Sequence, residues 1–179
     1  YLDVETMDAT TGDLAGLDTQ ILAMADDARR RLSERDIDTT DELGLNGFSA
    51  SGNFVNKLAA LHPEQIGSVT AGAINGTAIL PREEIDGQQL NYQIGINNLD
   101  ALTGSEFDRG AWQDIDQYLY IGREERRPID DTIPYPGVWA RDHAQTALDV
   151  YGQDMQEERM PFCERIYAGE NSPTRFDVL

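Results

Sequence analysis

The stretch Leu43-Gly44-Leu45-Asn46-Gly47-Phe48-Ser49-Ala50-Ser51-Gly52-Asn53-Phe54 leaves this chain few folding options. Leu43 to Phe48 reads as a short buried strand. With no linker after it, Phe54, Val55, Leu58, Ala59 and Leu61 recur at helical spacing over Ala50 to Leu61. A strand that becomes a helix around a single residue needs a very sharp turn. The positions two before and two after the turning residue must then be small, or side chains strike the adjoining strand and helix. Gly47 and Ser51 meet that condition around Ser49.

The rest of the chain repeats the alternation. Leu14, Leu17, Ile21, Leu22, Ala25, Ala28 and Leu32 mark an amphipathic helix, with Asp13 as a cap and Arg29, Arg30 and Arg31 closing it in the sense the helix dipole favours. His62-Pro63 ends the helix after Ser49. Ile66 to Ala73 reads as a strand, Leu90 to Ile96 as an extended piece, and Tyr118 to Gly122 as a third strand. Pro128 to Pro136 is a loop. Val138 to Tyr151 and Met160 to Tyr167 are helix candidates, and Arg175 to Leu179 is a last strand. Alternating strands and helices point to the α/β class, a mostly parallel sheet with helices on both faces. With 179 residues and no repeat or linker, the expectation is one domain, or part of one, over 1–179.

Charge narrows the partners. Against 33 Asp+Glu stand 14 Lys+Arg, a net charge of -19. Phosphate backbones need a basic surface, so nucleic acid is excluded as a partner. No run approaches the roughly 18 unbroken apolar residues of a membrane span. Lys57 is the single lysine, and the acids are dispersed rather than gathered in a tail. Such a surface resembles those of salt-adapted, halophilic proteins, whose self-repulsion molar salt screens. One cysteine, Cys163, rules out an internal disulfide. Asp36-x-Asp38-x-Thr40 starts like a calcium loop. Asp41 and Gly47 at its sixth and twelfth positions depart from that pattern, so it reads as a solvated loop with no metal.

A strand, Gly47-x-Ser49-x-Ser51 and a helix form the context of a nucleophile elbow. Such a turn lifts the Ser49 hydroxyl to the carboxyl edge of the sheet and aims the Ala50 N–H at a developing oxyanion. The departure is Ser51, where the usual pattern has Gly. The alternative is an ordinary strand–turn–helix with a capping serine.

Gly47-Phe48-Ser49-Ala50-Ser51-Gly52, Leu61-His62-Pro63-Glu64 and Ser68-Val69-Thr70-Ala71-Gly72-Ala73 together resemble an α/β-hydrolase of the esterase and polyhydroxyalkanoate-depolymerase-like kind. Tyr118-Leu119-Tyr120-Ile121-Gly122 resembles the strand before the catalytic acid. The resemblance implies a three-layer fold and hydrolysis of a small-molecule carboxylic ester through a Ser49 acyl-enzyme, with no cofactor. It implies the order Ser, acid, His. Glu125, third after Gly122, is the acid candidate, with Asp130 and Asp131 as alternatives. His62 is structural in such proteins. The base is expected on a loop beyond Leu179, with His143 as the weaker alternative. The early strand and Gly-rich loop that carry the second oxyanion donor have no counterpart before Leu14. The sequence therefore reads as an internal fragment of a longer hydrolase, in which a signal segment would be hidden; a cytoplasmic location is favoured. Two other readings stay open: a non-catalytic hydrolase-like binding or structural domain, and peptidase or acyltransferase chemistry on the same scaffold. Oligomeric state is not readable.

Overall fold

The computed structural model describes residues 16–125 and 141–179, apart from the side chains of 141–144. Helix α1 (Leu17–Ser33) leads to strand β1 (Leu43–Phe48), which runs into helix α2 (Ala50–Leu61). A short 3-10 turn, Pro63–Gln65, precedes β2 (Ile66–Gly72). A hairpin of β3 (Glu84–Ile85) and β4 (Gln88–Gln89) follows, then two five-residue helices, α3 (Leu99–Thr103) and α4 (Arg109–Gln113). After β5 (Asp116–Ile121) come α5 (Arg141–Tyr151), a π-helical turn at Met155–Arg159, α6 (Met160–Gly169) and β6 (Arg175–Val178).

The main sheet has the order β1-β2-β5-β6, and every pair in it is parallel. The α/β class expected from the alternation is therefore present. Phe48 pairs with Gly72, Gly72 with Tyr120, and Ile121 with Val178. All four strands thus end along one edge, which carries Ser49, Ala73, Gly122 and Leu179. Helix α2 packs on β1 and β2.

Period-two burial separates the two faces of the sheet. Val69, Ala71, Leu119 and Ile121 are at most 1% exposed, and Leu43, Leu45 and Phe176 pack against the core on their side. Burying each Leu or Val side chain is worth about 1.5–3 kcal/mol. The opposite face carries Asn46, Phe48, Ser68, Thr70, Tyr118, Tyr120, Arg175 and Asp177, which are half-buried or exposed. The described residues cover one face, and the second helical layer expected from the sequence is not among them. No described helix is long and apolar enough to cross a membrane.

Leu90 to Ile96 is not the extended piece expected. It is a buried loop in which Ile94 and Gly95 N–H both donate to the Asn91 carbonyl, 3.0 Å each. Leu90, Tyr92, Ile94 and Ile96 alternate as in a strand because they sink into two adjoining core clusters, while the Asn91 and Gly95 positions supply turn chemistry. The surrounding connection is pinned by hydroxyls. Tyr151 donates to Ala78 O at 2.7 Å and Tyr167 to Ile79 O at 2.8 Å, and Asn56 Oδ1 accepts from Ile79 N–H at 2.9 Å. Those bonds satisfy backbone carbonyls and amides that no sheet reaches.

Candidate functional site

Ser49 stands between β1 and α2 at φ 59°, ψ −122°. A non-glycine residue at positive φ is held against local strain by its surroundings. Those surroundings are glycines with no spare room. A Cβ on Gly47 would lie 2.5 Å from the Ser51 carbonyl carbon and 2.7 Å from Gly52 N. One on Gly52 would lie 2.6 Å from Gly72 O, and one on Gly72 would enter the Tyr120 ring. Hydrogen bonds fix the turn from both sides. Ser49 N–H donates to Gly72 O at 2.8 Å, and Asn53 N–H donates to Ser49 O at 3.0 Å.

Ser51, the departure from the usual glycine, has a specific job. Its hydroxyl accepts from Phe48 N–H and donates to Phe48 O, 2.9 Å each. One hydroxyl thereby closes the turn by using its donor and its acceptor on the same residue. Ser49 is exposed, and its hydroxyl has no hydrogen-bond partner among the described residues. The Ala50 N–H precedes the helical ladder, so it is one of the helix-start donors available to an outside acceptor. An anion placed above Ser49 would meet that donor and the positive end of α2.

Glu125 lies on the loop after β5, half-buried, with its N–H donating to Gly122 O at 2.9 Å. The topology brings it to the same edge as Ser49, since β5 lies two strand spacings, about 10 Å, from β1. The last residue, Leu179, is tied to this loop: its N–H donates to Ile121 O at 2.9 Å, and its carbonyl accepts from Arg123 N–H at 2.5 Å. Asp130 and Asp131 lie outside the described residues, as does the His143 side chain. His62 closes α2, and its Nε2 is 2.7 Å from Asp18 Oδ2. It sits the length of a 12-residue helix, about 18 Å, from Ser49 and cannot serve that hydroxyl. A cleft of about 390 Å³ lined by Leu61, His62, Leu99 and Phe107 also opens at that far end.

Three features of the edge come from the folded chain. The loop after β2 places Ala73, Asn75 and Gly76 at φ 55°, 57° and 68°, a tight coil beside the serine. Phe48 and Tyr120 lie 6.4 Å apart between ring centroids on the sheet face that no described helix covers, and Tyr120 stacks on Tyr118 at 5.4 Å. Gln156 reaches the Glu125 loop from the π-helical turn, about thirty residues on. The buried thiol of Cys163 donates to Gly76 O at 3.4 Å, and its pKa is pushed up to about 12, chiefly by burial. No protein-family model, no curated protein and no solved structure matches the chain.

Proposed function

We propose that this chain carries the nucleophile of an α/β-hydrolase-like serine hydrolase acting on carboxylic esters. The observation that supports this most is Ser49 held at φ 59°, ψ −122° between a parallel strand and a helix, with no space for a side chain at Gly47. Strain kept at one exposed, reactive residue is the mark of a site where geometry matters to chemistry.

In this function Ser49 Oγ attacks the ester carbonyl while a histidine takes its proton. The Ala50 N–H stabilises the oxyanion, and collapse breaks the C–O bond as the histidine returns the proton to the departing alcohol. Water then hydrolyses the acyl-enzyme by the same path. Glu125 orients the histidine, which follows the acid in the chain order of such hydrolases. An imidazole with a hydrogen bond on each side spans about 7–8 Å, which suits the separation of two strands. The dispersed carboxylates make the enzyme salt-dependent, since a net charge of -19 repels itself until screened.

A non-catalytic domain on the same scaffold is the second reading, in which the turn closed by the Ser51 hydroxyl is structural. Fluorophosphonate treatment in about 2 M KCl, where surface charges are screened, separates the two. One covalent adduct on the native protein, lost in Ser49→Ala, is the expected result. No adduct on folded protein overturns the enzyme in favour of the second reading. Equal labelling at low and high salt, with equal thermal midpoints, overturns the salt dependence.

A further inference from the structure

We infer that Gln156 is a positioning residue for the loop 122–125, an inference that gains its catalytic meaning from the hydrolase proposed above. Its Nε2 donates to Gly122 O at 2.9 Å and Arg123 O at 3.0 Å, with Glu125 O at 3.4 Å. All three partners are carbonyl oxygens, so the amide nitrogen must face the loop. Two N–H groups thus serve three acceptors that bracket the whole turn in which Glu125 stands.

The element that holds Gln156 is braced for the task. Asp154 caps it, accepting from Gln156 N–H at 2.8 Å and Glu157 N–H at 2.7 Å. The Glu158 carboxylate reaches back to Gln153 and Asp154 N–H at 2.5 and 2.8 Å, and these two bonds hold its pKa below the ordinary value. Two reciprocal caps on five residues keep a π-helical turn in place, a conformation that recurs at functional sites. Beneath it, Met155 and Met160 pack with Ile121, the last residue of β5, and with Phe176 of β6.

The same turn also grips the loop beside Ser49. Arg159, 6% exposed, donates from Nη1 to Asn75 O at 3.3 Å and from Nε to Gly152 O at 3.0 Å. Gly76 lies so close that a Cβ there would come within 2.7 Å of Met155 O. One rigid turn therefore contacts the loop after β2 with Arg159 and the loop after β5 with Gln156. It sets the spacing between the serine side and the acid side of the edge.

The test uses the full chain carrying Gln156→Met, which keeps the length and removes the donor, and Gln156→Glu as a second variant. Amide hydrogen exchange is read at 123–125 and at the Ser49 turn, beside the rate and saturation of fluorophosphonate labelling. The expected result is exchange about tenfold faster at 123–125, unchanged exchange over 47–53, and a labelling rate lowered about tenfold at unchanged half-saturation. Unchanged exchange at 123–125 overturns the inference, as does equal acceleration at the Ser49 turn, which would make Gln156 a general stabiliser. Faster exchange with an unaltered labelling rate overturns its bearing on catalysis. If the wild type takes no label, the hydrolase reading fails separately, and exchange alone decides whether Gln156 holds the loop.

Discussion

The turn after β1 and the loop after β5 leave the same edge of the sheet two strands apart, yet different forces hold them. At Ser49 the backbone holds itself: Gly47, Gly52 and Gly72 let three chain segments approach until no Cβ fits, and Ser51 closes the turn locally. At Glu125 the local hold among the described residues is one Glu125–Gly122 bond. The carbonyls of that loop are gathered by Gln156 and its start is tied to Leu179 through Arg123 N–H. In the proposed hydrolase the nucleophile would tolerate little displacement, which steric exclusion provides, whereas an acid that orients a base through hydrogen bonds can itself be held by hydrogen bonds.

Glu125→Gln probes the second loop most severely. Ester turnover should fall on the order of 10³-fold, the loss that follows when a base is no longer oriented. Asp130→Asn and Asp131→Asn should stay near wild type, and the reverse pattern in kcat would move the acid role out of the described loop. Gly47→Ala probes the first. Its Cβ meets backbone, so urea unfolding should show a loss of about 3 kcal/mol, while Gly44→Ala, facing only the Ser68 hydroxyl at 3.3 Å, stays close to wild type. Equal behaviour of the two glycines would show that the turn is looser than its geometry.

Ser51→Ala removes both bonds to Phe48 and should cost about 1 kcal/mol, measured as a shift in the urea midpoint. A smaller loss would leave the glycines alone in charge of the turn. Ser49→Gly should raise stability by up to about 1 kcal/mol, because glycine adopts φ 59° without strain, while abolishing fluorophosphonate labelling. Stability lowered by that change would mean the serine side chain contributes contacts that outweigh its strain.

The sheet face that no described helix covers adds a second contrast. Parallel sheets are normally covered on both sides. Here Thr70, Tyr118 and Tyr120 alternate with the buried Val69, Ala71 and Leu119 on neighbouring strands. On that face Arg175 of β6 lies 5.4 Å over the ring of its partner Tyr118 on β5, a cross-strand contact, while Tyr118 and Tyr120 stack along β5 itself.

Short-range chemistry was legible from the residues alone. Leu43–Phe48 and Ala50–Leu61 form the elements their periods and small residues require, because the constraint acts within a dozen residues. The Ile66, Tyr118 and Arg175 segments likewise form strands. Five-residue helices α3 and α4 and the Asp86-Gly87 hairpin, with φ 51° and 85° at its turn, are too short for a period to announce them. Leu90 to Ile96 carried a strand's alternation, and tertiary burial used it for a loop. Only the folded chain decides that Gln156 lies against Gly122 and Arg159 against Asn75, across 34 and 84 residues. Those contacts follow from strand order and from the docking of α6 and the turn before it, which no local pattern encodes. Periodicity and steric size are properties of neighbours in sequence; the meeting of two loops at one sheet edge is a property of the sheet.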